Sequence, residues 1–274
     1  MKVLLLDANN LIYRARYSAK FSREGDAAIV YSFFRSLRPL VEKFDPDLCY
    51  FVRDGAPVDR KELFPDYKAN RVREHDSEFL EQKKLIESIV FDYLPIVSCR
   101  NMSVEADDLI AYLVLEKHKN HECIVISSDT DFIQLLQDHK DCKLYNPISK
   151  KFRENPEYDY LTWKALRGDS SDNIPGIPRV GDKTAASLAL NSDKLISFLD
   201  SDSEKKMIYE RNRDLISFRK IDDLNDTFVS ETNSDFSKLR EIFTNLNFNS
   251  MVNEKSWKKY VGTFERIDSE TIVI

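Results

Sequence analysis

The sequence predicts an α/β fold, a mostly parallel central sheet flanked by helices, with a helical region after it. Short apolar runs at residues 2–7, 48–53, 122–127 and 143–146 read as strands, and most intervals between them hold apolar residues at helical spacing. Strands alternating with helices imply a parallel sheet covered on both faces. Strand-like runs stop after about Asn155, and Ile174-Pro175-Gly176-Ile177-Pro178 interrupts the helical region beyond that point.

Taken in order, residues 27–44 form the clearest helix, with Ile29, Phe33, Leu37, Leu40 and Val41 on one side. Residues 56–76 have no regular pattern but carry Arg60, Lys61, Lys68, Arg71 and Arg73 with Phe64 and Tyr67. A helix over 77–94 turns Phe79, Leu80, Ile86, Ile89 and Val90 inward and Lys83 and Lys84 outward. Another is expected over 104–117. The division this implies is a core of residues 1–154, interrupted by an insertion at about 56–94, and a helical region of residues 155–274. Its last stretch, 225–274, is polar and has no readable function.

With 42% hydrophobic residues over 274 positions the chain can bury a real core. Asp7 interrupts the apolar start before a signal core forms, and no later run is long enough to span a bilayer, so a soluble cytoplasmic protein is expected. Cys49, Cys99, Cys123 and Cys142 show no Cys-x-x-Cys pairing, which points to a reducing compartment and no zinc. A net charge of −6, from 41 basic and 47 acidic residues, argues at first against nucleic acid. Nine of the acids look like one cluster, however, and without them the remainder is mildly basic.

Asp7 and Asp54 close the first two strands, and Asp129 and Asp131 follow the third. The carboxyl ends of parallel strands form the crevice where open α/β sheets bind ligands, so these acids converge on one edge. Glu105, Asp107 and Asp108 open a helix above it, and Asp169 and Asp172, three apart, can face the same way. Any one of them alone reads as a cap or turn residue. Nine together, with few obvious cationic partners, would repel one another unless divalent ions neutralised them. Oxygen-only ligation suits Mg²⁺, with Mn²⁺ as a substitute, and two such ions about 4 Å apart are a recurring device for phosphodiester hydrolysis.

The ordered set Asp7-Ala8-Asn9, Asp54-Gly55, Tyr67-Lys68-Ala69-Asn70-Arg71, Glu105-Ala106-Asp107-Asp108, Ser128-Asp129-Thr130-Asp131-Phe132 and Gly168-Asp169-Ser170-Ser171-Asp172-Asn173-Ile174-Pro175-Gly176 resembles the flap endonuclease and 5′ nuclease family. That family includes the 5′ nuclease domains of bacterial DNA polymerases and stand-alone bacteriophage enzymes. The resemblance runs from Asp7 to about Ala186. It implies that Asp7, Asp54, Glu105, Asp107 and Asp108 hold a first metal, and that Asp129, Asp131, Asp169 and Asp172 hold a second, partly through water. It makes residues 56–94 a helical arch over single-stranded 5′ ends, with Lys68 and Arg71 on the scissile phosphate and Phe64 and Tyr67 either stacking on bases or anchoring the arch. Gly176, Arg179, Gly181, Lys183 and Thr184 fall in a segment similar to a helix-hairpin-helix element, which grips duplex backbone and often holds K⁺. Many relatives carry Gly at the Arg179 position, and an apolar or aromatic residue at Arg53.

The implied substrates are branched or 5′-flapped DNA and RNA-DNA duplex, read by structure because no base-reading constellation is visible. The short length suggests a stand-alone, monomeric enzyme of bacteriophage type, and a single-strand-binding protein or sliding clamp is a candidate partner of the tail. Three other readings stand beside it. An aspartyl phosphatase would want an acid where Asn9 stands. A PIN-type ribonuclease would not need the Lys68 segment or the Gly176 hairpin. A non-catalytic DNA-junction-binding protein would not need all nine acids.

Overall fold

The computed structural model describes residues 1–19, 25–71, 76–221, 224–230 and 234–267. The first strand, β1 (Lys2–Asp7), pairs in parallel with β2 (Leu48–Arg53) on one side and β4 (Glu122–Ile126) on the other. Outside these lie β3 (Val97–Asn101) beside β2 and β5 (Cys142–Asn146) beside β4, both parallel. Two antiparallel edges complete a seven-stranded sheet: β6 (Lys151–Phe152) on β5 and β9 (Thr227–Val229) on β3. Every strand end that carries a predicted acid therefore opens on one edge.

Alternation along β1 sorts the core into two layers. Leu4 and Leu6 face α1 (Ala8–Ala19) and α2 (Ala28–Phe44), while Val3 and Leu5 face α5 (Ala106–Tyr112) and α6 (Ile133–Asp138). The five residues predicted on the inner face of α2 are all buried. Fully burying a residue such as Phe33 or Leu37 contributes roughly 1.5–3 kcal/mol, enough to fix how α2 lies on the sheet. Asp45 ends that helix in the left-handed region at φ 43°, its N–H bonded to Val41 O at 2.8 Å.

Several expectations change. The segment 56–76 contains a short helix, α3 (Val58–Leu63), and α4 (Ser77–Tyr93) is a core helix packed under α2, so an arch over 56–94 is too wide. Arg73 lies outside the described residues. Leu80, expected inward, is 44% exposed. The helix expected over 104–117 is α5 followed by a π-helical stretch, with Glu105 as its N-cap residue.

Strands do not stop at Asn155. After α7 (Tyr160–Arg167), β7 (Gly168–Asp169) pairs with β8 (Ile174–Pro175), and β9 joins the main sheet. The helices α8 (Asp182–Ala189), α9 (Ser192–Asp200) and α10 (Ser203–Ile216) pack around α7 as a small layer of their own. The polar tail hides three more helices, α11 (Phe236–Asn245), α12 (Asn249–Val252) and α13 (Glu254–Phe264). Their Leu239, Phe243, Phe248, Tyr260 and Phe264 are buried against α2 and α4 and so complete the first layer's core. Residues 268–274 lie outside the described residues. Among the described residues no helix is long and apolar enough to cross a membrane, and the four cysteines are free and buried on strands.

Candidate metal and nucleic-acid site

A cleft of about 330 Å³ opens at the carboxyl edge of the sheet, lined among others by Asp7, Asp54, Lys68, Glu105, Asp107 and Asp129. Asp7 accepts hydrogen bonds from Asn10 N at 3.1 Å and Ser127 Oγ at 2.7 Å, which hold it across the β1–β4 seam. Burial is the main force pushing its carboxyl up to about 7, with Asp54 and Asp129 adding repulsion against those two bonds. Asp54 accepts from Ala106 N at 2.8 Å and from Asn9 Nδ2, and Asn9 in turn accepts from Lys83 at 2.5 Å. Lys83, expected outward, thus reaches the site's edge through Asn9. Gly55 follows because a side chain there would meet Asn101 O at 2.0 Å and Val104 O at 2.4 Å.

The second group forms around α7 and the β7–β8 ribbon. Asp131, Asp169 and Asp172 each place a carboxylate oxygen within 4.8 Å of the others. Lys164, buried on α7, binds Asp131 and lies 2.6 Å from Asp169. Burial would raise Asp169, but Lys164 and two bonds from Ser171 outweigh it and hold the carboxyl down at about 2. Asp131, more strongly desolvated, is pushed up to about 7 despite Lys164.

The two groups are joined by the Tyr67–Arg71 segment. Lys68 Nζ contacts Glu105 and lies 3.5 Å from Asp172, and Arg71 Nη2 is 2.5 Å from Asp172. Lys68 N donates to Asp172 O at 2.9 Å, Asn173 Nδ2 to Asp66 O at 2.8 Å, and Asn70 Nδ2 to Ser170 O at 2.7 Å. Two motifs about 100 positions apart are therefore stapled together, with Lys68 held in the left-handed region at φ 58°. A non-glycine residue in that conformation costs about 1–2 kcal/mol, which the staple offsets.

One predicted placement, Asp108, changes, and of the two readings open for Tyr67 the structure fits the anchor. Asp108 is fully buried and both its oxygens are taken by Arg60, at 2.6 and 2.7 Å, so it faces away from the cleft. Tyr67 is 3% exposed, packed on Ile174, Leu215 and Ile216, with its hydroxyl bonded to Glu105 at 3.0 Å and Asp172 at 3.2 Å. It is an anchor and cannot stack on a base. The premise of few cationic partners also fails for Glu105, Asp108, Asp131, Asp169 and Asp172, which bind Arg60, Lys68, Arg71 or Lys164. Arg60 sits in a short, mostly charged helix 45 and 48 positions before its acids, and Lys164 pairs with Asp131, 33 positions back, as well as with nearby Asp169. Only their burial on the same side as an acid pair could have flagged them.

In the hairpin, a side chain at Gly176 would meet Arg167 O at 2.0 Å. Arg179 is exposed at φ 67°, the left-handed backbone region that suits glycine. Gly181 caps α8, whose first turn presents exposed Lys183 and Thr184. Arg53 turns away from the cleft to Glu87 at 3.8 Å.

Comparison with known proteins agrees with this layout. Residues 2–162 match the 5′-3′ exonuclease N-terminal resolvase-like domain, and residues 155–244 match the 5′-3′ exonuclease C-terminal SAM fold. The chain is 31% identical over 276 residues to the thermostable DNA polymerase I of Thermus aquaticus, an alignment taking in 92% of this chain and 33% of that one. It thus spans about a third of the length of that relative. A 5′-3′ exonuclease of Mycoplasmopsis pulmonis is 29% identical over 225 residues, 78% of this chain and 75% of its own. Among solved structures, the phage T5 D15 protein co-crystallised with metal ions shares the fold at a TM-score of 0.67 with 18% identity, covering 98% of this chain and 100% of that one. With both halves matched in order and the acidic edge built from their motifs, the chain belongs to the 5′-3′ exonuclease family.

Proposed function

We propose that the chain is a divalent-metal-dependent 5′ nuclease that hydrolyses phosphodiester bonds near the 5′ end of branched or flapped nucleic acid. The observation that carries this reading is the convergence of acids from both halves of the chain on one edge, bridged by Lys68. The donors are all oxygens, which suits Mg²⁺ or Mn²⁺ over zinc. Asp7, Asp54, Asp107 and Asp129 line the cleft without an ion-pair partner among the described residues, so they would form one set. Asp131, Asp169 and Asp172 would form the other, with Glu105 between them. Bound cations would supply positive charge against that developing on the phosphate and make a water nucleophilic near neutral pH.

The chain's own residues set the rest of the geometry. Lys68 and Arg71 are tethered to acids that a cation would occupy, so on substrate entry they are free to exchange carboxylate for phosphate. Exposed Arg179, Lys183 and Thr184 face outward from the hairpin, where duplex backbone, and K⁺ on the hairpin carbonyls, would bind. All of these are backbone contacts, which favours recognition of shape over sequence.

The test is a pair of labelled substrates, one with a 5′ flap and one with a matching 3′ flap, incubated with Mg²⁺ or with EDTA. Release of the 5′ flap in Mg²⁺ alone is expected. Cutting of the 3′ flap, or of neither, would overturn the assignment.

A further inference from the structure

At the opposite edge of the sheet, where β1 and β4 begin, two histidines meet nitrogen to nitrogen. His118 Nδ1 and His121 Nδ1 lie 3.4 Å apart, in the turn that leads from the π-helical stretch into β4. The acids gather at the far end of the same strands, since Glu122 opens β4 and Asp129 follows its end. The five residues of β4 set the two edges roughly 16 Å apart. Neither histidine lines the acidic cleft.

The local fold holds the pair in place. The helix widens before it ends, so that His118 N donates to Leu113 O at 2.8 Å, and wide turns of this kind are frequent at functional sites. The following turn is closed by His121 N on His118 O at 2.9 Å. His118 is 3% exposed, and its other ring nitrogen, Nε2, lies 3.0 Å from the hydroxyl of Tyr50 on β2. The His118 ring also leans on the Tyr50 ring, with centroids 5.4 Å apart. His121 is half-buried, so one member of the pair is clamped in the core and the other reaches solvent.

Distance separates two accounts of the pair. A good hydrogen bond between the imidazoles would draw the nitrogens to about 2.7–3.2 Å. Two nitrogens on one tetrahedral Zn²⁺, each about 2.0–2.1 Å from the ion, stand about 3.3–3.4 Å apart. The observed separation is that of the chelate, and the rings, inclined at 52°, do not stack on each other. His118 also has the outer partner that ligand histidines use: with Nε2–H donating to Tyr50 Oη, Nδ1 carries the free lone pair. Burial, helped by His121 and Lys117, pushes His118 down to about 4 and keeps the ring neutral near pH 7.

We propose that His118 and His121 form a second metal site, a two-histidine clasp for a borderline divalent cation, Zn²⁺ by its spacing, which ties the end of the α5 segment to the start of β4. Imidazole nitrogens suit zinc and reject Mg²⁺, the reverse of the oxygen-only edge. Among the described residues no third His, Cys, Asp or Glu joins the pair, so water completes the coordination and the ion exchanges freely. Cysteine spacing, which points away from zinc, has no bearing on a site made of imidazoles. The clasp goes beyond the nuclease reading and does not depend on it.

Calorimetric titration of the full chain with Zn²⁺ in excess Mg²⁺ tests the clasp, comparing wild type with His121→Gln and Asp129→Asn. Wild type is expected to show a zinc-binding event that His121→Gln weakens at least about tenfold and Asp129→Asn shifts less than about twofold. Equal zinc binding by wild type and His121→Gln would overturn the proposal. An event lost in Asp129→Asn and kept in His121→Gln would also overturn it, by placing the zinc among the acids. Should His121→Gln melt early in EDTA, Cu²⁺ bound to wild type decides instead. Its electron paramagnetic resonance spectrum must then show splitting from two nitrogens, and a spectrum of oxygen ligands alone would overturn the clasp.

Discussion

Arg60 and Asp108 meet in two parallel hydrogen bonds, 2.6 Å from Nη1 to Oδ2 and 2.7 Å from Nη2 to Oδ1, with Asp108 sealed from solvent. The arginine also donates to Leu215 O and Ser217 O at the end of α10, tying α3, α5 and the helical layer together. Removing one partner of such a pair leaves a buried charge unmatched and costs about 3–5 kcal/mol. Asp108→Asn is therefore expected to lower the urea midpoint strongly. Asp107→Asn removes a charge that burial and Asp108 both oppose, so it should hold or raise stability while cleavage is lost. Equal stability of the two variants would contradict these separate roles.

The acidic edge should make the metal-free protein unusually sensitive to pH. Burial and neighbouring acids hold Asp7 up at about 7, against 3.8 in an unfolded chain. Between those values the folded state binds the extra proton, so stability falls as pH rises and levels off above about 7. His118, pushed down to about 4 by burial, has the opposite slope below about 6.5. Comparing wild type with Asp7→Asn cancels His118 and the other groups. In EDTA, the stability of wild type relative to the variant should decline from pH 5 to 7, as read by urea melts. A rise over that window would contradict a desolvated Asp7 whose two hydrogen bonds fall short of offsetting its burial.

Tyr67→Phe tests the anchor against the stacking role. Loss of the hydroxyl breaks the bonds to Glu105 and Asp172 and should lower stability by roughly 0.5–1.5 kcal/mol. Substrate affinity in EDTA should stay near wild type, because the ring is buried. A large loss of affinity at unchanged stability would restore the stacking role.

The parallel sheet and its acidic edge were legible because local signals carried them: apolar runs that end in Asp7 and Asp54, and the strand before Asp129. Less local features were hidden. The strand β3 mixes Ser98, Arg100 and Asn101 among its residues, and β9 is three residues long, so neither shows a clean alternation. Helices α11 to α13 bury one narrow stripe under a polar composition, which read as a tail. The pairing of Arg60 with Asp108, of Lys164 with Asp131 and Asp169, and the docking of Lys68 on Asp172 depend on tertiary placement alone. Arg179 shows the converse, since the turn around it was visible and its φ of 67° lies in the left-handed region that favours glycine.

That conformation gives a further expectation. Arg179→Gly should relieve the left-handed strain and stabilise the protein by about 1 kcal/mol, a gain read as a higher melting temperature. If Arg179 also holds a phosphate, the same variant should lower the salt slope of duplex binding by about one. A variant that melts below wild type would place the arginine in the packing of the hairpin instead.

Single-turnover cleavage of a 5′-labelled flap in Mg²⁺ by wild type, Asp129→Asn and Lys68→Ala tests the central claim most directly. Asp129 lines the cleft with no ion pair among the described residues, and Glu105 and Asp172 keep Arg60 and Arg71 when the Lys68 side chain is removed, so neither is needed for folding in the way Asp108 is. The account predicts a loss on the order of 10²–10³ in rate for Lys68→Ala and at least as much for Asp129→Asn, with the flap still bound and both proteins folded. Wild-type cleavage that persists in EDTA, or rates unchanged in both variants, would show that the chemistry is not done at this edge of the sheet.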